Sequence, residues 1–98
     1  MEELTNYETT FILSSEQSEE DREASITRVK STIENNGGEI LEVDEWGERR
    51  LAYPINDERS GYYLVIEFAG NSEVVDELER NFKLIGDLMR YLIVKNED

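Results

Sequence analysis

The sequence predicts an α+β domain in which two helices lie on one face of a four-stranded antiparallel sheet. Apolar residues recur at helical spacing in two segments and favour extended structure in four others. These segments follow the order strand, helix, strand, strand, helix, strand, without an internal repeat or a linker. A chain of 98 residues suits one modest core, so we expect a single domain over residues 1–98.

The first strand and the first helix have the clearest patterns. Residues 4–13 alternate, and one face of this strand contains Tyr7, Thr9, Phe11 and Leu13. Ser18, followed three residues later by Asp21, is typical of a helix N-terminus. The asparagines and glycines of residues 35–38 would end this helix after about 17 residues. Its predicted buried stripe is Ile26, Val29 and Ile33.

The second strand is predicted over residues 39–55, with a bend in its middle. Gly47 lies inside this extended run, which indicates a bulge. Pro54 has no N–H group, so it belongs near a strand end or on a sheet edge. We expect a turn over residues 56–61, which closes a hairpin onto a third strand at residues 62–69.

The second helix would begin at Asn71 or Ser72, both good capping residues. Its predicted buried stripe is Val74, Val75, Leu78 and Phe82. The last strand is expected over residues 88–95. Alternation would turn Met89, Tyr91 and Ile93 toward the helices and leave Arg90, Leu92 and Val94 on the open face.

This βαββαβ order is typical of ferredoxin-like folds. The handedness rule for crossovers then places strands one and three in the centre and strands two and four at the edges. The open face would display Glu8, Thr10, Tyr63, Val65 and Arg90. Such a face is either a binding platform or simply solvated.

Composition argues against catalysis. The chain has no cysteine and no histidine, so the common nucleophilic triads cannot be built. No metal-binding or phosphate-binding loop motif is present. An acylphosphatase-type reaction is disfavoured because the loop after strand one, residues 14–18, contains a glutamate where an anion-binding arginine would be needed. We therefore expect no enzyme activity, no cofactor, no metal and no small-molecule substrate.

Neither a signal peptide nor a membrane-spanning segment is visible in the sequence. We therefore expect a cytoplasmic protein.

Charge is unevenly distributed along the chain. The net charge is −14, from 24 acidic and 10 basic residues, which as a whole argues against nucleic acid. However, Arg49 and Arg50 form a positive site, and Arg80, Lys83, Arg90 and Lys95 follow near the C-terminus. We expect Arg49, Arg50, Arg90 and Lys95 to form one cationic border on an acidic body.

Two features remain ambiguous from the pattern alone. The strand around Arg49 and Arg50 is either a binding edge or a solvated hairpin. Tyr7 and Tyr63 could stack on nucleobases, although a tyrosine in a strand is more often packed.

Several segments together resemble the sixth protein of the bacterial small ribosomal subunit. These are Tyr7-Glu8, Gly38 before a strand, the run Trp46-Gly47-Glu48-Arg49-Arg50-Leu51-Ala52-Tyr53-Pro54-Ile55, Gly61-Tyr62-Tyr63, and Arg90-Tyr91-Leu92-Ile93-Val94-Lys95. The similarity extends from Leu4 to Lys95, and its most specific part is the run of residues 46–55.

The resemblance implies a structural ribosomal protein. It implies binding to the central domain of the small-subunit (16S) ribosomal RNA together with the eighteenth protein of that subunit. By matching position, the RNA-binding residues would be Tyr7, Arg49, Arg50, Arg90 and Lys95. The residues that bind the partner protein would be Trp46, Arg49, Leu51, Tyr53 and Pro54. A stand-alone ferredoxin-like module for protein interaction or ligand sensing is the alternative.

Overall fold

The computed structural model describes residues 4–55 and 57–96 of the chain. The elements are β1 (Thr5–Ser14), α1 (Glu19–Asn35), β2 (Glu39–Ile55), β3 (Glu58–Gly70), α2 (Ser72–Leu84) and β4 (Leu88–Lys95). The strands form one sheet in the order β2-β3-β1-β4, and each neighbouring pair is antiparallel. The predicted ferredoxin-like class, with β1 and β3 in the centre, is confirmed.

The core lies between the two helices and one face of the sheet. Alternate residues of the central strands supply its sheet side, as the period-two pattern predicted. The buried residues of this core are Phe11, Leu13, Ile26, Val29, Ile33, Leu64, Ile66, Phe68, Val74, Leu78, Phe82 and Ile85. Val75, predicted in the α2 stripe, is only half-buried. The opposite face of the sheet has no helix over it.

Side-chain caps define both helix N-termini. The Ser18 hydroxyl accepts a hydrogen bond from the Asp21 N–H at 3.1 Å, and three acidic residues occupy the first turn of α1. The Asn71 side chain accepts from the N–H groups of Glu73 and Val74 at 3.0 and 3.2 Å. These contacts satisfy donors that have no partner inside the helix. The predicted helix starts are therefore confirmed.

The β2–β3 hairpin is tighter than predicted. Its strands are separated by only two positions, because Ile55 pairs with Glu58. The sequence analysis placed a turn over residues 56–61, and this is wrong for residues 58–61, which belong to β3. Asp57 adopts a left-handed conformation, with φ of 67°, that aspartate tolerates and that suits a short hairpin. Asn56 lies outside the described residues.

The bulge predicted at Gly47 is confirmed. The pairing of β2 with β3 shifts register between Glu45 and Gly47, and Gly47 has φ of 81°. This is a left-handed conformation that glycine adopts without a Cβ clash.

Strand β4 contains an irregularity that the pattern did not predict. The pairing with β1 shifts between Ile12 and Leu13, whose partners are Arg90 and Leu88. As a result Leu88, and not Met89, packs against the core. Tyr91 and Ile93 also pack against it, as predicted, and Leu92 and Val94 are exposed on the other face.

Among the described residues, no helix is both long and apolar enough to cross a membrane.

Candidate functional site

The β2–β3 hairpin extends beyond the rest of the sheet. The pairing of β1 with β3 stops at Ser14 and Gly61, whereas β2 and β3 remain paired as far as Ile55 and Glu58. The projecting part bends over the open face of the sheet. A shallow hollow is thereby formed, and it is lined by Ile12, Leu51, Ala52, Tyr53, Ile55, Tyr63 and Arg90. We call this region, together with Arg49, Arg50 and Arg59, the hairpin end.

Apolar side chains form the floor of the hollow. Ile12 lies on the open face, because it alternates with Phe11 and Leu13 of the core, yet it is only 8% exposed. Leu51, from the hairpin, is only 9% exposed. These two residues and Tyr63 line the same hollow, so the hairpin shields this end of the sheet from water. Tyr53 lies further out and is 56% exposed, which makes it available to a partner.

One contact joins the hairpin to the opposite edge of the sheet. The Arg90 guanidinium donates a hydrogen bond of 2.7 Å to the Tyr53 hydroxyl. The guanidinium carbon also lies 5.5 Å from the centre of the Tyr53 ring. Tyr53 belongs to β2 and Arg90 to β4, which are the two edge strands.

One arginine, Arg90, lines the hollow, and three more lie on the two hairpin strands. Arg49 and Arg50 are exposed, and the Arg49 guanidinium donates to the Glu48 carbonyl at 3.3 Å. Arg50 and Arg59 line a second hollow beside residues 51–54. Within residues 4–55 and 57–96, the ion pair between Arg80 and Glu77 is the only one, so no carboxylate neutralises the arginines of the hairpin end.

Arg59 is a member of this group that the sequence analysis missed. It was placed in a loop because the turn was predicted to be too long. A shorter turn at the Asn56-Asp57 pair would have put Arg59 on the strand beside Arg50.

Trp46 and Pro54 flank the hollow without lining it. The Trp46 indole stacks on Tyr63 with ring centres 6.1 Å apart, and its N–H donates to Asp44 at 2.9 Å. Pro54 is exposed and lines the second hollow with Arg50 and Arg59. The residues predicted to bind a partner therefore form one continuous region around the hairpin.

Tyr7 and Lys95 lie elsewhere. Tyr7 is half-buried on the helix side of the sheet, where its ring stacks on Phe68 at 5.6 Å. Lys95 pairs with Tyr7, whereas Arg90 pairs with Ile12. Five residues of strand separate Arg90 from Lys95 by about 16 Å and turn them to opposite faces. Lys95 therefore lies apart from Arg90, and the two do not belong to one cationic border.

The other end of the open face is acidic. Glu67 of β3 lies directly opposite Glu8 of β1 on one side and Glu42 of β2 on the other. These three carboxylates and Asp44 line a shallow depression beside Trp46. No group of three or more acidic side chains among the described residues is arranged to hold a metal ion. We call this surface the acidic end.

On the helix side, a small cluster joins α1 to the sheet. The Arg22 guanidinium lies 4.2 Å above the centre of the Tyr62 ring, and the Tyr62 hydroxyl donates to Glu45 at 3.3 Å. Burial, followed by the Glu45 carboxylate, raises the pKa of Tyr62 above its usual value of 10.0.

Comparison with known proteins agrees with this geometry. The model of the family described as Ribosomal protein S6 matches residues 6–95 of the chain. The chain belongs to this family. The small ribosomal subunit protein bS6 of Thermoanaerobacter pseudethanolicus is 45% identical over 95 residues, covering 97% of this chain and 100% of the relative. The bS6 protein of Clostridium novyi is 47% identical over 94 residues, covering 96% and 99%.

A solved structure of the family has the same fold. The crystal structure of 30S ribosomal protein S6 from Thermotoga maritima superposes with a TM-score of 0.90 at 32% identity. The match covers 95% of this chain and 88% of that one. Membership in the S6 family makes the chain a structural component of the small ribosomal subunit, without enzyme activity, and places it in the cytoplasm with the ribosome. The family predicted from the run of residues 46–55 is confirmed, and it is favoured over a stand-alone interaction module.

Proposed function

We propose that the hairpin end is the surface by which this ribosomal protein binds the central domain of the small-subunit ribosomal RNA and the eighteenth protein of the same subunit. The observation that supports this most directly is that the hairpin carries Arg49, Arg50 and Arg59, none of them in an ion pair with a described carboxylate, and forms an exposed apolar hollow. The chain as a whole is strongly acidic, with a net charge of −14.

The charges at the hairpin end suit RNA. Arg49, Arg50 and Arg59 are exposed on the two strands of the hairpin. A guanidinium forms forked hydrogen bonds to phosphate, and a planar group of this kind binds better than a lysine at such sites. Phosphates elsewhere on this acidic body would be repelled. The local arginines therefore fix which side of the protein faces the RNA.

The apolar residues suit the partner protein. Tyr53 is exposed beside the buried Leu51, and Trp46 is 46% exposed next to Tyr63. Aromatic residues with arginine neighbours are the side chains most enriched at the energetic centres of interfaces. We propose that the partner protein contacts Trp46, Leu51, Tyr53 and Pro54. Arg49 would contact both the partner protein and the RNA.

Lys95 and Tyr7 have different roles in this proposal. Lys95 is exposed at the far end of β4, so it would make a separate phosphate contact. The Tyr7 ring stacks on Phe68, so we assign Tyr7 a packing role.

A double charge reversal tests the proposal. Arg49→Glu with Arg50→Glu should weaken binding to the partner and an RNA fragment of the central domain by more than about tenfold, because two attractive contacts become repulsive. The matched control is Arg80→Glu with Lys83→Glu on α2, which changes the net charge equally. Filter binding or gel shift measures both, and circular dichroism checks the fold.

The salt dependence gives a second measurement. If Arg49 and Arg50 each contact a phosphate, Arg49→Gln with Arg50→Gln should reduce the slope of log K against log salt by roughly 1.4 to 1.8. Equal weakening by the α2 control, or unchanged binding of the hairpin variant, would contradict the proposal.

A further inference from the structure

We propose that Arg90 is a positioning residue and not a phosphate ligand: it holds the β2–β3 hairpin over the open face through Tyr53, so that the hairpin end is formed before binding. The consequence for binding rests on the function proposed above. The bridge itself is a property of the free protein and is tested independently.

The hairpin needs such support because its backbone pairing is incomplete. Between Arg50, which pairs with Ser60, and Ile55, which pairs with Glu58, the register of β2 with β3 is interrupted. Pro54 lies in this interval and has no N–H to donate. Strand β1 no longer flanks the hairpin beyond Gly61. Two strands alone are only marginally stable in water, so side-chain contacts must fix this segment.

Two side-chain contacts are available for this. Leu51 is buried against the floor of the hollow. Tyr53 is the second, and its hydroxyl accepts the 2.7 Å hydrogen bond from Arg90. This hydrogen bond links β2 directly to β4, which are not neighbours in the sheet.

The geometry also explains why arginine is needed. The guanidinium donates to the hydroxyl while its carbon lies 5.5 Å from the ring centre, so one planar group makes both contacts. Lysine would retain the charge but not the planar group that stacks on an aromatic ring. A lysine ammonium still binds phosphate as a point charge, although without the forked hydrogen bonds, so at a phosphate contact Arg90→Lys would keep part of the binding and would not loosen the hairpin. The two roles therefore predict different outcomes for Arg90→Lys.

The first test uses the protein alone. Arg90→Lys and Tyr53→Phe should each speed amide hydrogen exchange of residues 51–55 by about three- to tenfold, as expected for the loss of one hydrogen bond. The double variant should exchange no faster than either single variant, because both remove the same contact. Arg80→Lys on α2 is the control, because it also replaces an exposed arginine by lysine but lies away from the hairpin. Unchanged exchange in both single variants would overturn the proposal.

The second test uses binding to the partner and the RNA fragment. Arg90→Lys and Tyr53→Phe should weaken binding by a similar factor of about three to ten and leave the salt slope unchanged, because pre-organisation is lost but no phosphate contact is. Native affinity of Arg90→Lys, with a slope reduced by about 0.9 in Arg90→Gln, would instead make Arg90 a phosphate ligand.

The two proposals fail in different ways. Normal binding by Arg49→Glu with Arg50→Glu would overturn the proposed function, and the exchange measurement would still decide whether the bridge holds the hairpin. Conversely, unchanged exchange with strong effects at Arg49 and Arg50 would overturn only the bridge.

Discussion

The two ends of the open sheet face differ sharply although the same central strands run through both. At the hairpin end, Arg90 and Tyr53 line an apolar hollow, and Arg49 is exposed on the same hairpin. At the acidic end, Glu67 lies between Glu8 and Glu42, and no described cation forms an ion pair with any of the three. Only the first end combines positive charge with a shielded apolar surface.

Under the proposed function, this difference explains how a chain of net charge −14 would bind RNA. Acidic residues on the remainder of the surface disfavour other orientations, and a few arginines at one end select the productive one. The acidic end has a cost, since like charges directly opposite each other in a sheet destabilise it. The comparison therefore predicts that substitutions at the two ends change stability in opposite directions.

The largest stability effect is expected at Gly61, where the hairpin leaves the sheet. A Cβ added at Gly61 would lie 2.4 Å from Cγ2 of Ile12, which is itself buried. Gly61→Ala should therefore lower the free energy of unfolding by about 1–3 kcal/mol through overpacking, measured by urea denaturation.

Gly86→Ala is the matched control, because no atom lies within 4 Å of the Cβ position there. Gly61→Ala should cost less in an Ile12→Ala background than in the parent, since the clashing methyl group is absent there. A loss at Gly61 no greater than at Gly86 would show that the hairpin is not tightly seated on Ile12.

A smaller effect of opposite sign is expected at the acidic end. Glu67→Gln removes repulsion with both cross-strand neighbours and should raise the free energy of unfolding by about 0.2–1 kcal/mol. The gain should shrink as salt is added, because surface charges are screened. Glu79→Gln on α2 should give no gain, since Glu79 precedes Lys83 by one helical turn. A stabilisation that persists in high salt would point to something other than charge repulsion.

The smallest effect concerns alkaline pH and the cluster on the helix side. Because the pKa of Tyr62 is raised in the folded state, its contribution to stability is complete below pH 10 and is lost as pH rises through the folded pKa. The parent protein should therefore lose stability more steeply above pH 10 than Tyr62→Phe does. Thermal unfolding across pH 9 to 11 measures this, with Tyr53→Phe as the comparison. Parallel curves for the parent and Tyr62→Phe would contradict it.

Much of the fold could be predicted because its signals are local. Periodicity located the strands and helices, Ser18 and Asn71 marked the helix starts, and Gly47 marked the bulge. Alternation also grouped Tyr7 with Phe11, on the face that proved to pack against the helices. The pattern thus indicated a packing role for Tyr7, although the family resemblance suggested RNA.

The site could be predicted only in part because its assembly is not local. The contact of Arg90 with Tyr53 joins residues 37 positions apart, and no spacing rule predicts how far a hairpin bends over a sheet. The register shift that replaces Met89 with Leu88 depends on the fit of β4 to β1. Whether Arg59 lies on β3 or in the preceding turn depended on the length of that turn, which was predicted too long.

Hydrogen exchange of the assembled complex tests the central claim most directly. Amide exchange of the protein, alone and bound to its partner and RNA fragment, should show new protection at residues 49–55 and 58–61 and little change at residues 40–44 and 65–68. Protection concentrated at the acidic end or on the helices, with the hairpin unchanged, would contradict the account.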